Sequence, residues 1–274
     1  MIRHIGLRPF FQLLENIDKE SLQERIYPQH RLFFAFMFIG VCLLFVHYAK
    51  YSNFFYGLMQ FTTGLEGIEF RRWWHQLEQQ PFYELYLHAW WGFVHVLGYF
   101  IAPWLFIRFY LKERLQQHGW QWGSVHQHWQ WYALLTAPIL CFVVIVSFGK
   151  DFSSHYPFYD YAHRSWLDLI LWEMIYISQF IALEFFFRGF MLNSLKPAFG
   201  SNAIFVMCLP YLMIHFPKLW LEATGALLFG LFLGLLAMRS RSIWGGVGVH
   251  VTIALAMDFA ALIQTKGLPT TWAP

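Results

Sequence analysis

The sequence predicts an all-α membrane protein that crosses the bilayer about seven times. Of its 274 residues, 58% are hydrophobic, 22% are aromatic and only 13% are charged, whereas about 25% of an ordinary soluble domain is charged. Apolar stretches close to the ~20 residues that a spanning helix needs recur almost from end to end. Because they leave no room for a separate soluble core, we expect residues 1–274 to form a single membrane domain.

Seven apolar windows define the predicted spanning helices. They centre on residues 32–49, 86–108, 131–149, 167–192, 202–216, 219–238 and 242–263. The fifth window is short and contains Pro210, which predicts a kink or an irregular stretch that is buried or lines a cavity. Residues 51–85 mix aromatic and charged side chains. This composition is typical of a helix lying at the membrane surface, and a shallow extra hairpin is the alternative.

The charge pattern indicates a bilayer as the partner and gives no indication of nucleic acid. The net charge is only +3, and the basic residues lie between the apolar windows and not in a long tract. Twelve of the 19 Lys and Arg residues fall on the inner side if the amino terminus is cytoplasmic, which favours that orientation. With seven spans, the carboxyl terminus is then outside. The first 30 residues show no apolar core before a small-residue cleavage site, so no removable signal peptide is expected.

The cysteine content indicates packing and no disulfide framework. The three cysteines, Cys42, Cys141 and Cys208, all lie in apolar windows. Their odd number and their positions predict buried thiols.

Glu184 and Arg188 are the first candidate functional residues. They lie four residues apart in the fourth apolar window, where ionisable side chains are costly and mark function by default. At this spacing they share one face of a helix and can pair. A purely structural ion pair is the alternative.

His215 is expected to meet Glu184 at the same depth. Residues 196–202 carry turn-forming residues, so the fourth and fifth windows should form an antiparallel helical hairpin that turns near residue 199. Glu184 lies 15 residues before this point and His215 lies 16 residues after it. At about 1.5 Å per residue, the two arms are nearly equal.

His250 is the third candidate, and it follows a glycine-rich stretch at residues 245–248 that allows helices to approach closely. Alone, it would be interpreted as a hydrogen-bond donor between helices. Together with Glu184 and His215, it can orient and deprotonate a water and stabilise an oxyanion. The same three residues could instead bind zinc. Either arrangement supports hydrolysis of an amide, and we expect no obligatory metal.

The pattern of these residues resembles the CAAX prenyl protease and bacteriocin-processing intramembrane peptidases, the CPBP or Abi family. The family pattern is Glu-Glu-x-x-x-Arg, then Phe-x-x-x-His, then His-x-x-x-Asn or Asp. Glu184, Arg188 and Gly189 match the first motif, Tyr211 and His215 match the second with Tyr for Phe, and His250 begins the third. Residues 225–234 and 241–244 are also similar to the family. The resemblance covers about residues 165–262 and implies a peptidase of the bacterial inner (cytoplasmic) membrane. It further implies a membrane-associated peptide or protein as the substrate, for example a lipidated or leader-bearing one.

Two positions depart from the family pattern. The first Glu of the family, which is credited with activating the water, is Leu183 here, and the family's Asn or Asp is Ala254. Glu184 cannot take over the missing role, because adjacent residues on a helix point about 100° apart.

Two acids are candidates to compensate. Glu222 could swing close to His215 across a short connection, whereas Asp258 lies about 12 Å along its helix from His250 and suits an orienting role. The alternatives are an acid at a helix start for Glu222 and a structural polar contact for Asp258. Asp168 and Glu173, near the start of the fourth window, are expected to face water or the mouth of a cavity.

These observations favour an intramembrane endopeptidase that uses a water activated by Glu184, His215 and His250, with Arg188 holding the acid. Leu183 and Ala254 leave open a catalytically impaired relative that binds membrane peptides or partner proteins. A proton-coupled transporter with these residues as a relay is the third hypothesis.

Overall fold

The secondary structure confirms the all-α prediction. The computed structural model describes residues 8–22, 28–218 and 220–274, and these residues form helices and no strand. Their α-helices are, in chain order, α1 (Arg8–Leu22), α2 (Gln29–Ala49), α3 (Ser52–Leu65), α4 (Phe70–Glu78), α5 (Tyr83–Val96), α6 (Ala102–Leu105), α7 (Trp129–Val146), α8 (Lys150–Ser153), α9 (Trp166–Glu184), α10 (Leu192–Phe199), α11 (Ala203–Met213), α12 (Trp220–Ser240) and α13 (Trp244–Gln264). π-helical segments lie at Leu97–Ile101, Phe106–Leu111 and Phe185–Met191, and 3-10 segments at Leu115–His118, Val125–Gln127 and Gly200–Asn202.

Six helical stretches in this part of the chain are long and apolar enough to cross a membrane. They are Gln29–Ala49, Tyr83–Leu111, Trp129–Val146, Trp166–Met213, Glu222–Ser240 and Trp244–Gln264. The fourth stretch has 48 residues and contains both the fourth and the fifth predicted windows. The six stretches therefore account for all seven windows, and the protein is an integral membrane protein.

The segment at residues 51–85 contains two helices. Helices α3 and α4 are separated by residues 66–69, and the ring of Tyr56 on α3 lies 4.7 Å from the rings of both Phe70 and Trp74. Edge-to-face contacts of this kind stabilise aromatic pairs. The presence of two helices is compatible with the hairpin alternative, and the position of this segment at the membrane surface stays a prediction.

The chain divides into two compact units. The first unit comprises Met1–Val41, Pro103–Gln127 and Glu184–Trp244, and the second comprises Cys42–Ala102, His128–Leu183 and Gly245–Pro274. The prediction of a single membrane domain stays a prediction.

A hairpin of α10 and α11 organises the first unit. Gly200, at the turn, has a φ of +55°, and a side chain there would collide with Asp18 of α1. The carboxylate of Asp18 accepts hydrogen bonds from the backbone N–H of Ser201 at 2.6 Å and from its hydroxyl at 3.1 Å. This anchored turn confirms the predicted reversal near residue 199.

Helices α9 and α13 pack antiparallel in the second unit. The indole Nε1 of Trp172 donates a hydrogen bond of 2.6 Å to Oδ2 of Asp258, and the rings of Phe180 and His250 stack. The amino-terminal end of α9 is held by the carboxyl-terminal segment, because Trp166 N–H donates to the carbonyl of Thr271 at 3.0 Å. These contacts place the later part of α9 beside the earlier part of α13.

Three expectations about burial require correction. Asp168 is fully buried and does not face water. Its carboxylate accepts hydrogen bonds from Tyr159, Arg164 and Ser165. Glu173 is also buried.

The cysteines only partly follow the prediction of buried thiols. Cys141 is exposed, since it lies on an outward face of α7. Cys42 and Cys208 are buried as predicted. Part of the segment considered for a signal peptide, including Arg3 and Arg25, lies outside the described residues.

Candidate active site

A π-helical segment surrounds the first motif. The helix changes from α to π geometry at Phe185–Met191, which shifts the backbone hydrogen bonds and is frequent at functional sites. Nδ2 of Asn193 donates to the carbonyls of Gly189 at 2.7 Å and Arg188 at 3.3 Å. A Cβ on Gly189 would lie 2.7 Å from the carbonyl oxygen of His118. Glycine is therefore required here by close packing.

Glu184 and Arg188 form a fully buried ion pair. Nη1 of Arg188 lies 3.0 Å from Oε1 of Glu184, and neither side chain is exposed. This confirms that the two residues pair on one helix face. A buried ion pair is strongly destabilised when one partner is removed, because the other charge is left uncompensated. The pair therefore fixes the local structure of both residues.

Tyr211 holds the guanidinium from the opposite arm of the hairpin. The Cζ atom of Arg188 lies 3.9 Å from the centroid of the Tyr211 ring, a cation–π distance. The ring of Phe187 contacts the same tyrosine edge-on, with centroids 5.3 Å apart. Tyr211 occupies the position where the second motif has Phe, so the aromatic residue of this motif serves as a platform for Arg188.

His215 lies one short step beyond α11, which ends at Met213. Its ring centroid is 4.8 Å from that of Tyr211, and its Nδ1 lies 2.8 Å from the Tyr211 carbonyl oxygen. A carbonyl only accepts hydrogen bonds, so we assign the proton of the neutral ring to Nδ1, which leaves Nε2 as an acceptor. The side chain is half-buried. Glu184, Arg188, Tyr211 and His215 thus form a continuous series of contacts in the first unit.

Glu222 pairs with Lys218. Nζ of Lys218 lies 2.5 Å from Oε1 of Glu222, and the side chains are 30% and 27% exposed. Glu222 also lies in the first turn of α12, where a negative charge is favourable. These contacts match the helix-start alternative, and a catalytic role for Glu222 stays a prediction.

His250 and Asp258 belong to the second unit. The His250 ring stacks on Phe180 with centroids 5.5 Å apart and planes 12° apart, and the side chain is half-buried. Asp258 is fully buried and accepts the hydrogen bond from Trp172. This bond matches the structural alternative for Asp258. Its proposed orienting role in catalysis stays a prediction.

The two departures from the family pattern are buried apolar residues. Leu183 is 6% exposed and Ala254 is 5% exposed. Ala254 belongs to one hydrophobic cluster with Trp172 and Tyr176. At this position the chain therefore packs a small side chain against aromatic rings, where the family has an amide or an acid.

Glu173 is a candidate residue that the sequence reasoning missed. It is 8% exposed, and neither carboxyl oxygen has a hydrogen-bond partner among the described residues. Asp258 is the charged residue with which it interacts electrostatically. The sequence signal for Glu173 is its position between two apolar runs of α9, and the same kind of signal identifies Glu184 as a candidate.

Neither unit, over its described residues, contains three His, Cys, Asp or Glu side chains placed to hold a metal ion. The alternative zinc site of Glu184, His215 and His250 draws on both units. It stays a prediction.

The fold and these residues define an integral membrane protein with ionisable side chains inside its apolar helices. Residues 164–256 match the family model Rce1-like, described as type II CAAX prenyl endopeptidase Rce1-like. No curated protein and no solved structure matches the chain. The family match confirms the resemblance inferred from the motifs, and it includes Glu184, Arg188, His215 and His250. Asp258 lies just beyond the matched residues.

Proposed function

We propose that this protein is an intramembrane endopeptidase that hydrolyses a peptide bond of a membrane-associated protein or peptide. The observation that carries the proposal is the match of residues 164–256 to CAAX prenyl endopeptidases. The contacts that join Glu184, Arg188, Tyr211 and His215 support it, because they keep four residues of the first two motifs in a fixed geometry.

His215 is the general base in this proposal. Its Nδ1 donates to the Tyr211 carbonyl, so Nε2 can accept a proton from the attacking water. The water oxygen then bonds to the carbonyl carbon of the substrate, and the proton passes from Nε2 to the leaving amine nitrogen as the C–N bond breaks. This assignment gives His215 the role that a carboxylate at position 183 would otherwise have.

Glu184, Arg188 and His250 assist this reaction. Glu184 helps to orient the attacking water, and Arg188 keeps this acid in place through their ion pair. His250 donates a hydrogen bond to the oxyanion that develops on the substrate. The reaction needs no obligatory metal in this form. Zinc held by Glu184, His215 and His250 is the alternative.

The test uses purified protein in lipid vesicles with two reporters, a prenylated peptide with a carboxyl-terminal CAAX sequence and a leader-bearing peptide. Mass spectrometry of the products measures cleavage. We expect Glu184→Gln, His215→Gln and His250→Gln each to lower the rate by at least about a hundredfold. His126→Gln is the matched control, because His126 is exposed. If all three variants fold and still cleave like the wild type, the peptidase proposal is wrong.

A chelator separates the two forms of the proposal. Cleavage that persists after incubation with 1,10-phenanthroline supports activation of the water by protein groups alone. Cleavage that is lost and then restored by added zinc supports the metal alternative.

A catalytically impaired, peptide-binding relative is the second candidate. The apolar, buried Leu183 and Ala254 favour it, because neither can activate or orient a water. Under this alternative the wild type binds the reporter peptides without cleaving either, and Leu183→Glu with Ala254→Asn is the variant expected to gain cleavage.

A further inference from the structure

Three aromatic side chains follow one face of α9 at a spacing of four residues. Trp172 and Tyr176 stack with centroids 5.0 Å apart and planes 21° apart, and Tyr176 and Phe180 follow at 4.7 Å. Residues four apart on a helix are neighbours on one face. We call Trp172, Tyr176 and Phe180 the aromatic ladder.

The ladder contacts α13 at both of its ends. Phe180 stacks on His250 at one end, and Trp172 donates its indole N–H to Asp258 at the other. Eight residues separate the two contacts on each helix, which corresponds to about 12 Å. The equal spacing means that the two contacts specify the same antiparallel register.

The middle of the ladder explains the small residue at position 254. Ala254 lies halfway between His250 and Asp258 in sequence and packs in one buried cluster with Trp172 and Tyr176. A larger polar side chain here would compete with the rings for space. The neighbour of the His250 ring is the ring of Phe180, and position 254, one helical turn away, offers no polar group.

We infer that the aromatic ladder positions His250, and that Asp258 acts on His250 only as the hydrogen-bond acceptor that fixes the helix register. The stack with Phe180 restricts rotation of the His250 ring, because parallel, offset rings attract each other. The hydrogen bond of Trp172 prevents α13 from sliding along α9. Phe180, Trp172 and Asp258 are then positioning residues. This inference rests on the proposed function for its consequence in catalysis.

The first experiment measures the His250 ring directly and needs no activity. The protein is labelled with ¹³C,¹⁵N-histidine in lipid nanodiscs, and the His250 signals are assigned with His250→Gln. We expect Phe180→Leu, which keeps an apolar side chain without a ring, to remove the ring-current shift of these signals. Phe180→Tyr should preserve the shift. Unchanged His250 signals in folded Phe180→Leu would overturn the inference.

The second experiment measures cleavage of the reporter peptides. Phe180→Leu should lower kcat about tenfold with little change in KM, because substrate binding is retained while His250, the donor to the oxyanion, is misoriented. Phe180→Tyr should restore most of the loss. Phe142→Leu is the matched control, since Phe142 is 46% exposed on α7.

Substitutions of Asp258 distinguish a positioning role of this residue from a role as an acid or base in the reaction. Asp258→Asn retains an oxygen that can accept the Trp172 hydrogen bond, so we expect cleavage within about threefold of the wild type. Asp258→Leu and Trp172→Phe should both lose at least about tenfold. Inactivity of a folded Asp258→Asn variant would overturn the assigned role, because an oxygen that can accept the Trp172 hydrogen bond is retained while the acid is removed. If the wild type cleaves neither reporter, the proposed function fails while the ring measurement still decides the positioning of His250.

Discussion

The buried pair of Glu184 and Arg188 decides the local structure around the first motif. Both side chains are removed from solvent, and transfer of two charges from water is costly unless each stays paired. Tyr211 adds a ring face to the guanidinium at 3.9 Å. A single substitution at this pair should therefore cost more than a change at an exposed ion pair.

We expect Arg188→Leu to destabilise the protein by about 3–5 kcal/mol, because Glu184 then remains buried without its arginine. The double variant Glu184→Leu with Arg188→Leu should recover most of this loss. The free energy of unfolding, measured by denaturant titration in detergent, gives the coupling between the two residues. If the losses of stability caused by Glu184→Leu and by Arg188→Leu simply add up in the double variant, the ion pair is not the cause of those losses. Lys218→Leu provides a control at an ion pair that is partly exposed.

Glu173 is expected to make the folded protein less stable than an apolar residue at the same position would. Its buried carboxyl oxygens have no hydrogen-bond partner in the described part of the chain, which is unfavourable in an apolar surrounding. We expect Glu173→Leu to raise the free energy of unfolding by about 1–3 kcal/mol. Glu66→Leu is the control, since Glu66 is exposed. A lower thermal midpoint for Glu173→Leu than for the wild type would contradict this expectation.

The difference between Glu184 and Glu173 shows what a sequence can reveal about single residues. Glu184 has Arg188 four positions away, so the pairing follows from helix geometry alone. The charged neighbour of Glu173, Asp258, comes from α13, far away in sequence. Its burial could not be read from the residues beside it, and the expectation that it faces water was wrong for that reason.

At the scale of elements, the hairpin was predictable and the π segment was not. Gly200 and Pro197 mark the turn in sequence, and the turn forms where these residues predict. The π segment at Phe185–Met191 includes Gly189, which packs against His118, a residue distant in sequence, so the residues of the segment alone did not indicate its geometry. Helix α11 ends at Met213, because Pro217, four residues later, has no N–H to donate to the Met213 carbonyl and its ring would clash with that carbonyl. His215 therefore lies beyond the end of the helix.

Glu113 forms a second polar cluster in the first unit, with Arg31 and His118. Glu113 accepts from Arg31 of α2 at 2.7 Å and lies 2.8 Å from Nε2 of His118. Burial opposes the charged form of Glu113, but the hydrogen bonds and charges of His118 and Arg31 outweigh it, so the pKa of Glu113 lies below its usual range. The carboxylate therefore stabilises the folded protein when it is charged.

This lowered pKa predicts a stability that depends on pH. Above the ordinary value of 4.5, the carboxyl is charged in both states and its contribution is complete. As the pH falls below that value, the unfolded chain takes up the proton first, and the contribution is lost as the pH passes through the lowered folded pKa. We expect Glu113→Gln to cost on the order of 1 kcal/mol near neutral pH. The variant should approach the wild type as the pH falls from 4.5 through the lowered folded pKa.

Thermal midpoints measured in detergent across this pH range test the expectation. Glu15→Gln is the control, because Glu15 is exposed on α1, and it should follow the wild type throughout. A difference between Glu113→Gln and the wild type that stays constant down to the lowest pH would show that the charge of Glu113 does not contribute.

For the whole molecule, the sequence predicts a membrane protein more securely than it predicts the path of the chain. Composition and apolar windows suffice for the class, because the bilayer imposes length and polarity on each span. The motifs cover only the region matched at residues 164–256. The earlier residues carry no motif, so the pair of helices α3 and α4 could be anticipated only as one of two alternatives.

The number of crossings is decided by the long fourth stretch, and it determines the side of the carboxyl terminus. Residues 166–199 would extend about 50 Å as a straight helix, more than the ~30 Å of the hydrocarbon core, whereas the 11 residues of α11 extend only about 16 Å. We propose that the stretch nevertheless crosses twice and that the amino terminus is cytoplasmic. Arg188 is buried in its ion pair and is no topology signal, yet most of the remaining basic residues still favour this orientation.

Reporter fusions in a bacterial host measure this topology. Green fluorescent protein at the amino terminus should fluoresce, and alkaline phosphatase fused after Lys218 or after Pro274 should be active, because both positions are outside when the fourth stretch crosses twice. If it crosses once, both phosphatase fusions lie in the cytoplasm and are inactive, whereas fluorescent protein at Pro274 becomes bright. An active fusion at Lys218 also indicates that α11 returns through the bilayer despite its short length, with residues beyond Met213 completing the passage.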